Sequence, residues 1–263
     1  MLIVASINPI AFQLGSLQVR WYGILIALGA LLGTWIAARA AQQLKLKAEL
    51  IYDFLLYGGI GGIVCARLYY VVFNWSYFVE NPQKIIAIWE GGIAIHGALI
   101  GGFLGILLFS KLRKIKLLPY LDCVALGLPI AQSIGRWGNF INQEAFGRPT
   151  DLPWGIYIDP ARRPHGYLES EYFHPTFLYE SLWNLVVFGI LLWILKKVKF
   201  KTGDLLYVYF IAYSLGRVFI EGIRTDSLML GSLRAAQIVS VSLILLGIIL
   251  LGLNHKKSSS NPS

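Results

Sequence analysis

The sequence predicts an all-α, polytopic membrane protein with about seven transmembrane helices and a polar loop region at its outer face. Three observations carry that prediction. The 263-residue chain is 56% hydrophobic and only 14% charged, with a mean hydropathy of +0.62, well outside the range of soluble globular domains. Seven windows are apolar over roughly the ~20 residues that a bilayer core demands of a helix. Lysine and arginine gather in alternate loops between those windows, as cytoplasmic loops of membrane proteins do.

The windows are 19–39, 54–73, 92–110, 119–137, 177–195, 204–221 and 235–253. The first opens on "VRWYGILIALG", where Trp21 and Tyr22 stand at an expected membrane interface. No charge precedes Arg20, so the basic start of a secretory signal is missing and the span is expected to be retained. Gly58 and Gly62 in the second window, and Gly97, Gly101 and Gly105 in the third, have the spacing of small residues that let helices approach closely. The fourth window runs into "GRWGNFINQEAFG" at 135–147, a polar knot at the end of an apolar span. From Gly138 within it, 138–176 is the longest stretch expected to be non-helical. "HPTFLYES" opens the fifth span and "YSLGRVFIEGIR" closes the sixth. After the seventh, "KKSSSNPS" is too polar to pack, so the expected organisation is one integral membrane domain over 1–255 and a disordered tail over 256–263. There is no internal repeat.

Thirteen of the 23 basic residues follow spans one, three, five and seven, and seven lie on the other side, three of them in the long 138–176 segment. The N-terminus is therefore expected outside and the C-terminus in the cytoplasm. The net charge of +9 is split into short runs between apolar segments, which fits loops at a membrane surface and argues against a nucleic-acid partner. Cys65 and Cys123 sit in apolar runs and read as packing residues. Trp75, Tyr77, Trp89 and Trp154 read as interfacial anchors, and Lys84, Arg162 and Arg163 as solvated or headgroup-facing charges.

Ionisable groups inside spans cost at least ~2.5 kcal/mol each on insertion scales, so each asks for a partner or a task. With this topology, His96, Arg136, Glu180 and Arg217 fall toward the outer leaflet, with Asn139, Asn142 and Glu144 just beyond Arg136 and His174 just before span five. Tyr22 and Arg67 reach the same level, and Tyr213, Arg217 and Glu221 share one helical face at four-residue intervals. The inner half offers little beyond Asp122. That convergence points to a site at the outer membrane face. Taken singly, Arg217 and Glu221 could be a structural ion pair and His96 a histidine bonded to a neighbouring carbonyl. A small transporter or channel is the alternative class, but such proteins place polar groups near the midplane and show repeated halves.

The blocks quoted above resemble those of the prolipoprotein diacylglyceryl transferases. The signature Gly-Arg-x-Gly-Asn-Phe-x-Asn-x-Glu is matched by "GRWGNFINQEAFG", and "VRWYGILIALG", "GGIAIHGALIGG", "HPTFLYES" and "GRVFIEGIR" look like further family blocks in family order. The resemblance implies a transferase of the bacterial cytoplasmic membrane that moves the diacylglyceryl group of phosphatidylglycerol onto the lipobox cysteine of a prolipoprotein signal peptide, forming a thioether and releasing glycerol phosphate. It implies no metal and no cofactor. On that reading Arg136 and Arg217 grip the headgroup phosphate, because guanidinium groups stay charged and bind phosphate through a fork. His96 is a candidate base, since imidazoles accept protons near neutral pH. Glu144, Asn139 and Asn142 orient the arginines or the glycerol hydroxyls, and Glu221 holds Arg217 or Arg224. Tyr22, Tyr213 and Glu180 complete the substrate-binding set.

Overall fold

A computed structural model of the chain describes residues 7–15 and 17–259. The seven apolar windows all form helices long and apolar enough to cross a membrane. They are α1 (Trp21–Gln43), α2 (Glu49–Phe73), α4 (Ile95–Leu112), α5 (Leu117–Asn142), α6 (Thr176–Lys197), α7 (Asp204–Ile223) and α8 (Ala235–Ser259), with a short α3 (Trp75–Glu80) after α2. Three two-stranded antiparallel ribbons lie between or before them: β1 (Ile10–Leu14) with β2 (Leu17–Arg20), β3 (Ile156–Tyr157) with β4 (Tyr172–Phe173), and β5 (Met229–Leu230) with β6 (Leu233–Arg234). Two helix ends run well beyond the sequence reading. Helix α5 continues through the polar knot to Asn142, and α8 continues to Ser259, so the expected tail is helical in its first four residues; 260–263 lie outside the described residues.

The chain divides into two compact units, 38–120 and 1–37 with 121–263. In the first, α2 packs along α4. A methyl group on Gly101 would lie 2.1 Å from the Gly61 carbonyl oxygen, so the two backbones touch where no side chain fits. Gly97 and Gly105 are closed off in the same way by the backbone of α2. Arg67 is buried and spends its guanidinium on four main-chain carbonyls, those of Lys84, Ile85, Gly91 and Gly92, at 2.5 to 2.8 Å. Its guanidinium folds the 84–92 turn back onto α2.

In the second unit, α1 lies on α5 through Gly33 and Gly127, again at backbone contact. Ser133 on α5 and Ser181 on α6 share a hydroxyl contact of 2.8 Å. Trp183 on α6 donates from its indole nitrogen to the Ala212 carbonyl of α7 at 2.9 Å, and its ring fills the space above Gly216. These ties lie within one turn of Arg136, Glu180 and Arg217 and fix the level at which those side chains meet. Asp122 accepts from the amides of Gly203 and Leu206 at 2.6 and 3.0 Å, so the acid expected in the inner half caps the start of α7. The segment between α5 and α6 has its own small core of Phe146, Ile158 and Phe173. Arg163, expected to be solvated, ties this segment together by donating to the carbonyls of Ile158 and Leu168 at 2.9 and 3.0 Å.

Candidate active site

The last turn of α5 ends in a Schellman motif, with Gln143 donating to the Phe140 carbonyl at 3.1 Å and Glu144 to the Asn139 carbonyl at 3.0 Å. The motif needs a left-handed residue after the helix, and Gln143 supplies it at φ 50, a conformation that costs a non-glycine residue on the order of 1 kcal/mol. Its effect is to fold Glu144 back over its own helix. There Glu144 Oε1 accepts from Asn139 Nδ2 at 2.8 Å and, at a long 3.4 Å, from Asn142 Nδ2. Ala145, also left-handed at φ 56, then turns the chain toward α6, where the Thr176 hydroxyl donates to its carbonyl. Gly147 pairs with Arg224, and Arg148 donates to the Ile223 carbonyl at 2.8 Å, so the end of α7 is stitched to the knot.

Glu180, one turn into α6 and only 4% exposed, is the centre of the arrangement. Arg136 Nη2 approaches its Oε2 at 2.6 Å, Arg217 Nη1 donates to its Oε1 at 2.6 Å, and Arg224 Nη1 stands 3.9 Å from the same Oε1. Glu221, 3% exposed, takes Arg217 Nη2 at 2.6 Å and has Arg224 Nε at 3.9 Å. Three guanidinium groups from α5, α7 and the α7 end therefore surround two buried carboxylates. Two of the contacts are close without being aligned as hydrogen bonds, since Glu180 Oε2 and Glu221 Oε2 receive no directed N–H among the described residues. The N–H groups of Arg136 and Arg217 are thus not all consumed by the protein. Arg136 also reaches Asn139 Oδ1 at 3.4 Å, which joins it through Asn139 to Glu144.

Of the residues named from sequence, Arg136, Asn139, Asn142, Glu144, Glu180, Arg217, Glu221 and Arg224 form one continuous polar chain. Glu221 holds both Arg217 and Arg224. Tyr22 lies with its ring against Gly138, where a methyl group would come within 2.3 Å of Cδ2, so the glycine beside Asn139 makes room for the phenol. Tyr213, one turn before Arg217, stacks on Tyr209 at 5.5 Å. His96 belongs to the other unit, at the start of α4, exposed and stacked on Tyr69 at 6.0 Å. His174 shares a 3.1 Å contact with the Tyr179 hydroxyl, which also accepts from Trp154 at 2.9 Å. Trp154, expected as an anchor, thus has a hydrogen-bonding role in this loop.

Sequence reasoning missed Asp226, which holds Arg224 through two hydrogen bonds of 3.0 Å. Its only signal was an acid two residues beyond an arginine in a turn. The ties at Ser133, Ser181 and Trp183 were also missed, because small hydroxyls and a tryptophan in apolar spans carry no pattern of their own.

Fold and site together define a polytopic membrane protein with a preorganised arginine and carboxylate network at the ends of three of its helices. The sequence profile described as prolipoprotein diacylglyceryl transferase matches residues 9–253. The phosphatidylglycerol–prolipoprotein diacylglyceryl transferase of Acaryochloris marina is 53% identical over 252 residues, 95% of this chain and 91% of that protein. The proteins of the same name from Nostoc and Bacillus velezensis are 49% and 50% identical, over 94% and 93% of this chain and 89% and 91% of theirs. The chain belongs to the prolipoprotein diacylglyceryl transferase family.

Proposed function

We propose that this transferase acts as its relatives are named for acting, moving the diacylglyceryl group of phosphatidylglycerol to a prolipoprotein, and that the acceptor is the lipobox cysteine thiol. The thiol sulfur attacks the glycerol carbon that carries the phosphate, the sulfur–carbon bond forms as the carbon–oxygen bond breaks, and glycerol phosphate leaves with the bonding pair. The thiol proton passes to a base. The observation that carries the reading is the pair Arg136 and Arg217, both anchored on buried Glu180 yet keeping N–H groups available to a third party. A leaving phosphate oxygen gains most from donors held in place before the reaction, in surroundings of low dielectric. Glu221 and Arg224 support Arg217, while Asn139, Asn142 and Glu144 support Arg136 or meet the glycerol hydroxyls. Tyr22 and Tyr213 line the approach. His96 is the residue proposed to take the thiol proton.

The same reading places the chain as a single integral membrane domain in the bilayer of the bacterial cytoplasmic membrane, N-terminus outside and C-terminus inside, with the arginine network toward the outer face. The test is transfer by the purified protein in phosphatidylglycerol micelles with a lipobox peptide. Thioether-linked peptide and glycerol phosphate should appear in equal amounts. Release of glycerol phosphate without peptide modification, or equal rates with a peptide whose cysteine is replaced by serine, would refute it.

A further inference from the structure

Beyond the arginine network, the end of α5 borders a cavity of about 320 Å³ lined by Asn8, Asn142, Gln143, Asp159 and Arg162 among others. Its chemistry is unlike that of a fold-stabilising crevice. The Arg162 guanidinium is exposed and makes no hydrogen bond or ion pair with any described residue. Gln143 Oε1 is fixed by the Asp159 amide at 2.9 Å, which leaves its NH₂ group without an acceptor among the described residues. Asn8 uses its Oδ1 on the Ile10 amide at 2.9 Å, so its NH₂ is likewise uncommitted. Three donor groups, one of them cationic, thus line a space that also holds acceptors in Asn142 Oδ1 and the Asp159 carboxylate. Donors for an anion beside acceptors for hydroxyls match a polyol phosphate. The left-handed turn at Gln143 and the Asp159 hydrogen bond hold two of the walls together.

The cavity is also joined to the arginine network. Asn142 lines it and donates to Glu144, which accepts from Asn139, which in turn accepts from Arg136. We propose that this cavity is a glycerophosphate subsite, with the phosphate on Arg162 and the amide groups of Gln143 and Asn8, and the glycerol hydroxyls on Asn142 and Asp159. The proposal rests on the transfer reaction above, which supplies this group twice, as the headgroup of the lipid and as the released product.

The test uses the full-length protein in detergent and free sn-glycerol 1-phosphate as the probe, with binding followed by calorimetry. Arg162 is exposed, so Arg162→Gln is expected to keep the fold, checked by an unchanged melting temperature. Binding should weaken tenfold or more in Arg162→Gln and recover in part in Arg162→Lys, which restores the charge. If KM for phosphatidylglycerol stays within twofold of the parent while that binding is lost, the subsite serves the released product; if KM rises in parallel, it serves the lipid headgroup. Equal binding of glycerol phosphate by parent and Arg162→Gln, or no binding by the parent, overturns the proposal whatever KM does. A parent that binds glycerol phosphate but forms no thioether leaves the subsite standing and refutes the transfer reading instead.

Discussion

Replacing Arg217 by lysine keeps the charge and removes the fork, and the structure sets the size of the effect. Arg217 spans two buried carboxylates with two nitrogens, Nη1 at 2.6 Å from Glu180 and Nη2 at 2.6 Å from Glu221. A lysine ammonium lacks the planar fork and cannot reproduce both contacts at that geometry, so the equivalent of one charge-assisted contact is lost, worth ~1.5–3 kcal/mol. Expressed in the transition state, that is a fall in kcat of roughly 10- to 150-fold. Arg136 provides the sharper comparison, because its one close carboxylate contact, 2.6 Å to Glu180, is within the capacity of a lysine. A network that served structure alone would therefore tolerate Arg136→Lys. If Arg136 also forks a phosphate, its lysine variant loses about tenfold or more even with the network intact. The assay is kcat for transfer in phosphatidylglycerol micelles, with thermal stability measured in parallel. Near-parent turnover in Arg136→Lys with a loss in Arg217→Lys would assign both arginines to structure, and near-parent turnover in both would refute the reasoning altogether.

His96→Asn removes the base and keeps much of the shape, so transfer should fall severely at pH 7 and recover in part as pH approaches the thiol's own value of about 8.5; a parent-like rate from pH 6 to 9 in a folded variant would clear His96 of the role. Asp226→Asn should cost little, less than about 1 kcal/mol, because Asp226 is 47% exposed and its pair with Arg224 is screened by solvent; a hundredfold loss of transfer would show instead that Arg224 must be held away from Glu180. Engineered cysteines within 143–175 should be labelled from outside sealed cells and those within 111–116 and 196–201 should not; labelling of 196–201 from outside would reverse the topology.

How far the sequence could be read followed from where the physical constraint was local. Each span was legible because a bilayer imposes length and apolarity on every crossing helix, and the seven windows lie within the seven helices except for a few residues at the start of 19–39 and 92–110. Buried charges were legible as a class because each is costly, which singled out Arg136, Glu180, Arg217 and Glu221 before any geometry was known. The partner of each was not. Arg67 and Arg136 both stand in the outer part of an apolar span, but one faces four carbonyls of the 84–92 turn and the other a carboxylate on a neighbouring helix. The polar knot looked like a loop because its glycines and asparagines are poor helix formers, yet packing prevailed: Gly138 admits the Tyr22 ring and the helix runs four residues beyond it.

Glu180 emerges from this comparison as the residue whose importance sequence reasoning ranked too low, and its charge is the feature that can be tested. Arg136, Arg217 and Arg224 carry three positive charges, and Glu144, Glu180, Glu221 and Asp226 carry four negative ones, so the network has no surplus of positive charge. An anionic phosphate is then attracted by directed N–H groups and not by surplus charge. Glu180→Gln separates the two, because the amide keeps the shape and one acceptor while leaving the site one charge more positive. If Glu180 acts only as a counter-ion, the variant should bind phosphatidylglycerol more tightly and turn over normally. If it holds two guanidinium groups in register, the amide can accept from one of them but its NH₂ now faces the other, and kcat should fall by about tenfold to a hundredfold, the equivalent of one or two mispaired charged contacts. The register role therefore predicts a lower kcat with a KM for phosphatidylglycerol that is unchanged or reduced, a split that general unfolding would not produce. A Glu180→Gln enzyme with parent kcat and a lowered KM would show that the carboxylate neutralises the arginines without positioning them.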